Sequence, residues 1–488
     1  MSSASPAASN TALSSGAPEG QPRVVQHGGE TAVLLPPRIE HADVKVPGAI
    51  GFDLLGRHSD NVRETFLPIT KAALLDRLTH ADAWPEGQAN DARRFFQYLD
   101  HWRRQLYSAG QRDVDRFYET FNPDSDLLTT RAFSASERGK MQSRVVAYVQ
   151  SLLKQANYVR IMPEEISLLT QGSFYGLDLK IDLHAFDEIL VYYRGRSSKK
   201  EQRRDARKFY RKVEFDVPIF RRLFVLFKLK PFETRVQEVM QENNLSRKEA
   251  EKQVRKARSV LPAQVKSDNI YMKMFKNMPR SDVEMIFPNT KVSFRMFDKV
   301  KLGVTGSAGL GMGVFGAAGK IALAASNPVA AMGAVVGLGG IAVRQGVAFM
   351  NQRQRYMVVM AQNLYFHAMA DNRSAMIKLA DRAAEEDVKE EMLLYSVIAK
   401  APIRRSDLPA VDQGVERWIK KAFDVDVDFD LEEALGRLLD EGIVTESADG
   451  ILTALAPTDA ARHIDAKWDV FLDHLVEDDT SMGVEVDD

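Results

Sequence analysis

The 488-residue chain contains no cysteine. Disulfides, thiolate nucleophiles and Cys-ligated zinc are therefore excluded. Histidine is scarce: the nine present are scattered, with no H-E-x-x-H or similar ligand spacing. Nothing here implies a metal or a cofactor. Neither sign of charge dominates, because the formal net charge is −1. No global field selects nucleic acid or an acidic partner, and charged patches have to be judged one by one. The opening "MSSASPAASNTALSSGAPEGQPR" lacks the apolar core of a secretory signal and holds a single Arg. Residues 1–50 read as a disordered tail.

Charge is also missing from one internal stretch. Between Leu302 and Val343 the only charged residue is Lys320, and eleven glycines fall in the same span. Gly311, Gly313 and Gly316 form G-x-G-x-x-G, but no apolar strand precedes them and no acid follows until Asp371. A dinucleotide site needs both. A Walker loop fails as well, with Val314 in place of its first Gly and Ile321 in place of Ser or Thr. The alternative is a helical hairpin in a membrane. Two apolar arms flank a turn at Asn327 and Pro328, each near the roughly 20 residues that cross a bilayer. Gly309 with Gly313, and Gly333 with Gly337, have the four-residue spacing that lets helices approach closely in lipid, and would also serve a homo-oligomer. Arg295, Lys299 and Lys301 precede the hairpin; Arg344, Arg353 and Arg355 follow it. Those six would face lipid headgroups and hold both ends in the cytoplasm.

The remainder reads as α+β. Phe95, Leu99, Trp102 and Leu106 mark one face of a helix, and Met141, Val145, Val149 and Leu152 mark another behind a capping box from Ser134 to Glu137. Leu179, Ile181 and Leu183 alternate with Lys180, Asp182 and His184, as in a half-buried strand. "EILVYYRGR", "FRRLFVLFKLK" and "NIYMKMFKNMP" are further strands, giving a small antiparallel sheet with helices. Asp182, His184 and Asp187 can be drawn as a catalytic group, but no nucleophile motif such as G-x-S-x-G accompanies them.

Between Arg194 and Lys212 there are ten Lys or Arg against two acids. A second basic segment, "SRKEAEKQVRKARS", starts with the box Ser246 to Glu249. Either run suits an anionic lipid surface, or else is a solvated face; aromatic interleaving for nucleic acid is nearly absent. From Val347 to Ala401 there is no Gly or Pro, so long helices should run into the next domain. Near the C-terminus the order is helix, helix, helix, hairpin, as in a winged helix. Its candidate recognition helix holds Glu432, Glu433, Asp440 and Glu441 against Arg437 alone, which disfavours DNA and favours a protein contact. "FDVDVDFD" imitates a calcium loop but has Phe429 and Leu435 where Gly and Glu are needed.

Four stretches together carry a resemblance: "RETFLPITKAALL" from Arg63, "YMKMFKNMPRSDVEMIFP" from Tyr271, "NLYFHAMADNRSAMIKLADRAAEEDVKEEMLLY" from Asn363, and "DFDLEEALGRLLDEGIV". They resemble the transmembrane protein 143 family, which has bacterial, plant and mitochondrial members, over most of Arg63–Leu475. The resemblance implies a membrane protein with a helical hairpin and an uncharacterised domain, and no catalytic residues. The chain departs from the family at about 234–260, where a basic helical insertion sits. Without a transit peptide, the expected location is a bacterial inner membrane with both termini cytoplasmic.

The expectation is an α+β membrane protein: a tail (1–50), a helical region (51–157), an α+β domain (158–300), a transmembrane helical hairpin (301–350), a connecting helix (351–385), a winged-helix-like domain (386–476) and an acidic tail (477–488). Its expected role is a membrane-anchored, cytoplasm-facing scaffold or adaptor that binds membrane lipid or an unknown protein partner. The alternatives are an enzyme acting near His184 and Asp187, and a nucleic-acid binder using Arg194–Lys212.

Overall fold

A computed structural model describes residues 63–294 and 365–481, residues 86, 128–131, 163, 166–176, 181, 206–210, 260, 263, 281–282, 284–285, 288–290 and 429–430 aside. The helices are α1 (Lys71–Leu78), α2 (Gln88–Tyr118), α3 (Ala135–Gln155), α4 (Phe232–Asn243), α5 (Arg247–Arg258), α6 (Asn372–Ile398), α7 (Leu408–Phe423), α8 (Glu432–Asp440) and α9 (Pro457–Ser481). The strands are β1 (Val159–Ile161), β2 (Leu177–Lys180), β3 (Phe186–Asp205), β4 (Arg211–Leu229), β5 (Ile270–Pro279), β6 (Lys291–Phe294), β7 (Ala368–Asp371), β8 (Ile403–Arg404), β9 (Val444–Glu446) and β10 (Ile451–Ala454).

A five-stranded sheet in the order β1-β3-β4-β5-β7 lies at the centre, antiparallel throughout. Alternation along its strands feeds two cores. Leu190, Tyr192, Phe224, Leu226, Met272 and Met274 pack under α2, α3 and α6. Val191, Tyr193, Leu223, Val225, Phe227 and Phe275 pack against Val283, Ile286 and Phe287 on the other face. Strands β3 and β4 are far longer than their neighbours. Pairing with β1 covers only Val191–Tyr193, and pairing with β5 ends at Ile219. Beyond Ser198 and Pro218, up to Asp205 and Arg211, the pair continues as a two-stranded ribbon among the described residues. At about 3.3 Å per residue the ribbon is on the order of 25 Å long. At the opposite end of β4, α4 and α5 form a helical hairpin around Val236, Val239, Ala250 and Val254.

The C-terminal part follows the chain order α6, β8, α7, α8, β9, β10, with a three-stranded sheet β8-β10-β9. This is the element order of a winged helix. It has no core of its own: Leu435 and Leu438 of α8 share one cluster with Phe95, Leu99 and Trp102 of α2 and with Met392 and Tyr395 of α6. Helix α6 runs unbroken through residues 385 and 386.

One expectation is corrected. Among the described residues no helix is long and apolar enough to cross a membrane. The fold is α+β, and the membrane class with its transmembrane helices does not stand as a description of it. The longest helices, α2 with 31 residues and α6 with 27, carry charges along their whole length. Their apolar residues are spent on the protein's own cores. The glycine-rich stretch that prompted the expectation (301–350) lies outside the described residues, as does the expected tail (1–50).

Candidate functional site

The centre of the molecule is a charged segment of α6, Glu385–Glu391. Its side chains would be solvated on an ordinary surface helix. Here Glu386 and Glu391 are 0% exposed, Lys389 1% and Asp387 2%. Burying a charge is tolerated only where it is paired and hydrogen-bonded. Partners arrive from five other segments.

On the side facing the winged-helix module, Arg437 of α8 reaches three carboxylates: Nε to Glu391 at 2.8 Å, Nη2 to Glu390 at 2.8 Å and Nη1 to Asp387 at 3.2 Å. Arg103 of α2 spans Glu391 and Glu441, each at 3.0 Å. Glu441 also accepts from Trp102 Nε1 at 3.0 Å and from Lys467 of α9 at 2.7 Å. The Tyr107 hydroxyl donates to Asp387 at 2.6 Å, and Asn157 Nδ2 donates to Glu390 at 3.0 Å. Four carboxylates thus meet three cations. The excess of one negative charge has a consequence. Burial pushes the Asp387 carboxyl up to about 6 and the Glu390 carboxyl up to about 7, with Arg437 opposing the rise in both. One proton held between them neutralises the cluster. Burial is also the largest influence on Arg103 and lowers it, but Glu391, Glu441 and Asp387 together outweigh it, so its pKa stands above the ordinary value.

On the other side, Glu386 and Lys389 clasp the segment Arg63–Ile69. Glu386 accepts from Leu67 N at 3.2 Å, from Arg194 Nη2 at 2.7 Å and from Lys389 Nζ at 2.7 Å. Lys389 Nζ also donates to the carbonyls of Leu67 at 2.8 Å and Ile69 at 3.3 Å. The Phe66 ring lies 4.1 Å from the Arg194 guanidinium, a cation–π contact. Glu64 forms a parallel bridge with Val427, and Arg63 pairs with Glu416 at 2.7 Å. The segment therefore straps the winged-helix module to the helices and to the sheet.

The outer acids of α8 are engaged too: Glu433 pairs with Lys154 of α3 at 2.9 Å, and Glu432 pairs with Arg405. The helix that reads DNA in a helix-turn-helix protein is here fastened to the body, with its one Arg turned inward.

Asp182, His184 and Asp187 do not converge on one another. Asp187 accepts from Lys228 at 2.7 Å and from Gln142 at 3.2 Å. Asp182 lies 3.7 Å from Arg235, and His184 is exposed in a short 3-10 turn. Asp424 and Asp426 of the calcium-like stretch both pair with Lys420, at 2.9 and 3.0 Å. Among the described residues no group of three potential ligands could hold a metal. The hairpin residues Gly309, Gly313, Asn327, Pro328, Gly333 and Gly337 lie outside the described residues, as do the flanking Arg295, Lys299, Lys301, Arg344, Arg353 and Arg355. The buried cluster was missed because a run such as "AEEDVKEE" looks solvated. A usable signal flanks it: Ala383-Ala384 before and "MLLY" after leave the helix no continuous polar face.

Residues 186–374 match the model of a family described as a protein of unknown function (DUF3754). The match begins at β3 and ends in the first turn of α6. It takes in the long strands and the α4–α5 hairpin, and it leaves out the buried charge cluster and the winged-helix module. It does not name the transmembrane protein 143 family. No solved structure matches the chain.

Proposed function

We propose that this chain is a scaffold or adaptor. Its winged-helix module contacts protein rather than DNA, and its basic surfaces meet an anionic partner such as a lipid surface. The kinship with the transmembrane protein 143 family belongs to this reading and supplies no reaction. One observation carries the proposal: Arg437, the only cation of α8, is spent on Asp387, Glu390 and Glu391. A recognition helix without an available cation, carrying acids outward, repels phosphates. The same contacts make the module part of a rigid body, which suits a protein that holds partners at fixed geometry. The anionic side of the reading draws on α5, where Lys248, Lys252 and Lys256 form an exposed row at four-residue spacing, and on the basic ribbon of β3 and β4.

Fluorescence anisotropy of labelled duplex DNA with the full chain tests the first half. The proposal expects no binding that survives 150 mM salt, at roughly physiological ionic strength. Tight binding of duplex DNA at that salt would reject it. Sedimentation with anionic vesicles tests the second half. Co-sedimentation should weaken as salt rises, and Lys248→Glu together with Lys252→Glu should abolish it.

A further inference from the structure

The sheet carries a row of cations that no carboxylate arrangement fully answers. Antiparallel pairing places Val159 opposite Tyr193, so Tyr158, just before β1, comes alongside Arg194. Arg194 stands directly opposite Arg222, and Arg222 directly opposite Lys276. All belong to the sheet face that packs under α6, as Tyr192, Phe224 and Met274 do two residues away. Like charges directly opposite one another destabilise a sheet, and here three are aligned across β3, β4 and β5. Two inter-strand spacings make the row about 10 Å long.

The answering charge is incomplete. Arg194 is paired with Glu386, yet its Nε is buried with no partner. Arg222 is half-buried, and the one hydrogen bond of its side chain, from Nη1, goes to the Arg221 carbonyl at 2.8 Å. Among the described residues neither Arg222 nor the exposed Lys276 has a carboxylate partner. Arg382 of α6 comes in from above, paired with Glu385 at 2.7 Å. Six cations (Arg194, Arg221, Arg222, Lys276, Arg382 and Lys389) thus meet three acids: Glu64, Glu385 and Glu386. Burial depresses the Arg222 guanidinium most; Tyr158 opposes it, and repulsion from Arg382, Arg194 and Arg221 adds to the depression. The backbone beside the row is tightly packed. Gly195, at φ +74°, lets the chain pass where a Cβ would meet Arg221 Cδ at 3.0 Å and Phe66 Cε1 at 3.2 Å.

We propose that this row is a binding site for a phosphate-class oxyanion, with Arg222 and Lys276 as its chief charge partners and Arg382 alongside. The end at Tyr158 and Arg194 is buried. The other end, Arg222 and Lys276, opens to solvent and admits the ligand. Guanidinium groups offer the forked donors that phosphate oxygens accept. The bound anion neutralises the repulsion that the row otherwise carries. The phosphate group could come from a free metabolite or from a lipid headgroup, and the site chemistry is the same for both.

The test is calorimetric titration of the full chain with inorganic phosphate, against chloride at matched ionic strength, and flotation with phosphatidylcholine vesicles with and without phosphatidic acid. Phosphate is expected to bind saturably and to raise the thermal midpoint. Lys276→Gln should weaken it about tenfold, the size of one charge-assisted hydrogen bond, and Arg222→Gln should abolish it. Without phosphate, Arg222→Gln should melt no lower than the parent, because a repulsive neighbour has been removed. Binding to phosphatidic acid vesicles alone, lost in both variants, would assign the lipid headgroup as the source. Binding of neither probe, or equal binding by parent and by Lys276→Gln, would overturn the site. Should Arg222→Gln fail to fold, the exposed Lys276→Gln still decides.

Discussion

Helices α5 and α6 carry charged stretches that look alike on the page, "RKEAEKQVRKAR" and "AEEDVKEE". Their fates are opposite. The α5 lysines stand in solvent, and Ala250 and Val254 alone are buried on that helix. The α6 charges are sealed between two other helices, a strand and a strap. What separates them is the neighbourhood. Helix α5 touches one partner helix and has water on its remaining sides, so its charges need no counterpart. From Arg382 to Ile398 helix α6 has no exposed residue, and the charges of Glu385–Glu391 must be met by partners such as Arg437, Arg103, Arg194 or a backbone carbonyl of the strap. A surface ion pair is worth little, whereas breaking a buried one leaves an uncompensated charge.

That contrast can be broken most forcefully at Arg437. Arg437→Met removes the shared partner of Asp387, Glu390 and Glu391, and should destabilise the chain by about 3–5 kcal/mol, read by denaturant unfolding followed through tryptophan fluorescence. Lys389→Met should be nearly as damaging, at about 3 kcal/mol. It frees the strap as well, so proteolysis near residue 70 should accelerate. Both variants should lower the unfolding midpoint far more than any change on α5.

A smaller effect comes from pH. Asp387 and Glu390 hold their protons to about 6 and about 7 in the folded chain because burial disfavours their ionised forms. Unfolded, they release those protons near pH 4. The folded state therefore binds more protons between roughly pH 4 and 7, and stability falls as pH rises through that window. One shared proton is worth about 2–3 kcal/mol. Denaturation midpoints at pH 5.5 should exceed those at pH 8, and Glu390→Gln should flatten the dependence. At the bottom of the scale, Lys252→Ala on α5 should shift stability by less than about 0.5 kcal/mol; a larger loss would mean that α5 is not the solvated helix described here.

Much of the framework was legible beforehand. Strands β3, β4 and β5 fall on the three segments read as strands, whereas the alternation at Leu179–His184 makes a strand only as far as Lys180; the faces Phe95–Leu106 and Met141–Leu152 are buried, because apolar period reports which side meets a core. The boxes at Ser134 and Ser246 form as the residues suggest, since capping is local. Three things were not legible. The ribbon length of β3 and β4 is invisible in a polar stretch such as "SSKKEQRRD", which alternates nothing apolar. The strap was hidden because its bonds run from Lys389 and Glu386 to main-chain atoms of Leu67 and Ile69, which every residue possesses. The burial of α6 depends on partners more than 200 residues away, among them Arg103 and Asn157. The charge-poor stretch that suggested spanning helices (301–350) lies outside the described residues; the helices that are described spend their apolar faces on the chain's own cores.

The claim on which the rest depends is that the winged-helix module and the α2–α6 core are one cooperative unit joined through buried charge. Native-state hydrogen exchange across a denaturant series addresses it directly. The account predicts that amides of α8 and those of α2 and α6 converge on a single opening free energy and lose protection together. Exchange of α7, α8 and the β8–β10 sheet through a separate opening at distinctly lower denaturant, with α2 and α6 still protected, would contradict it.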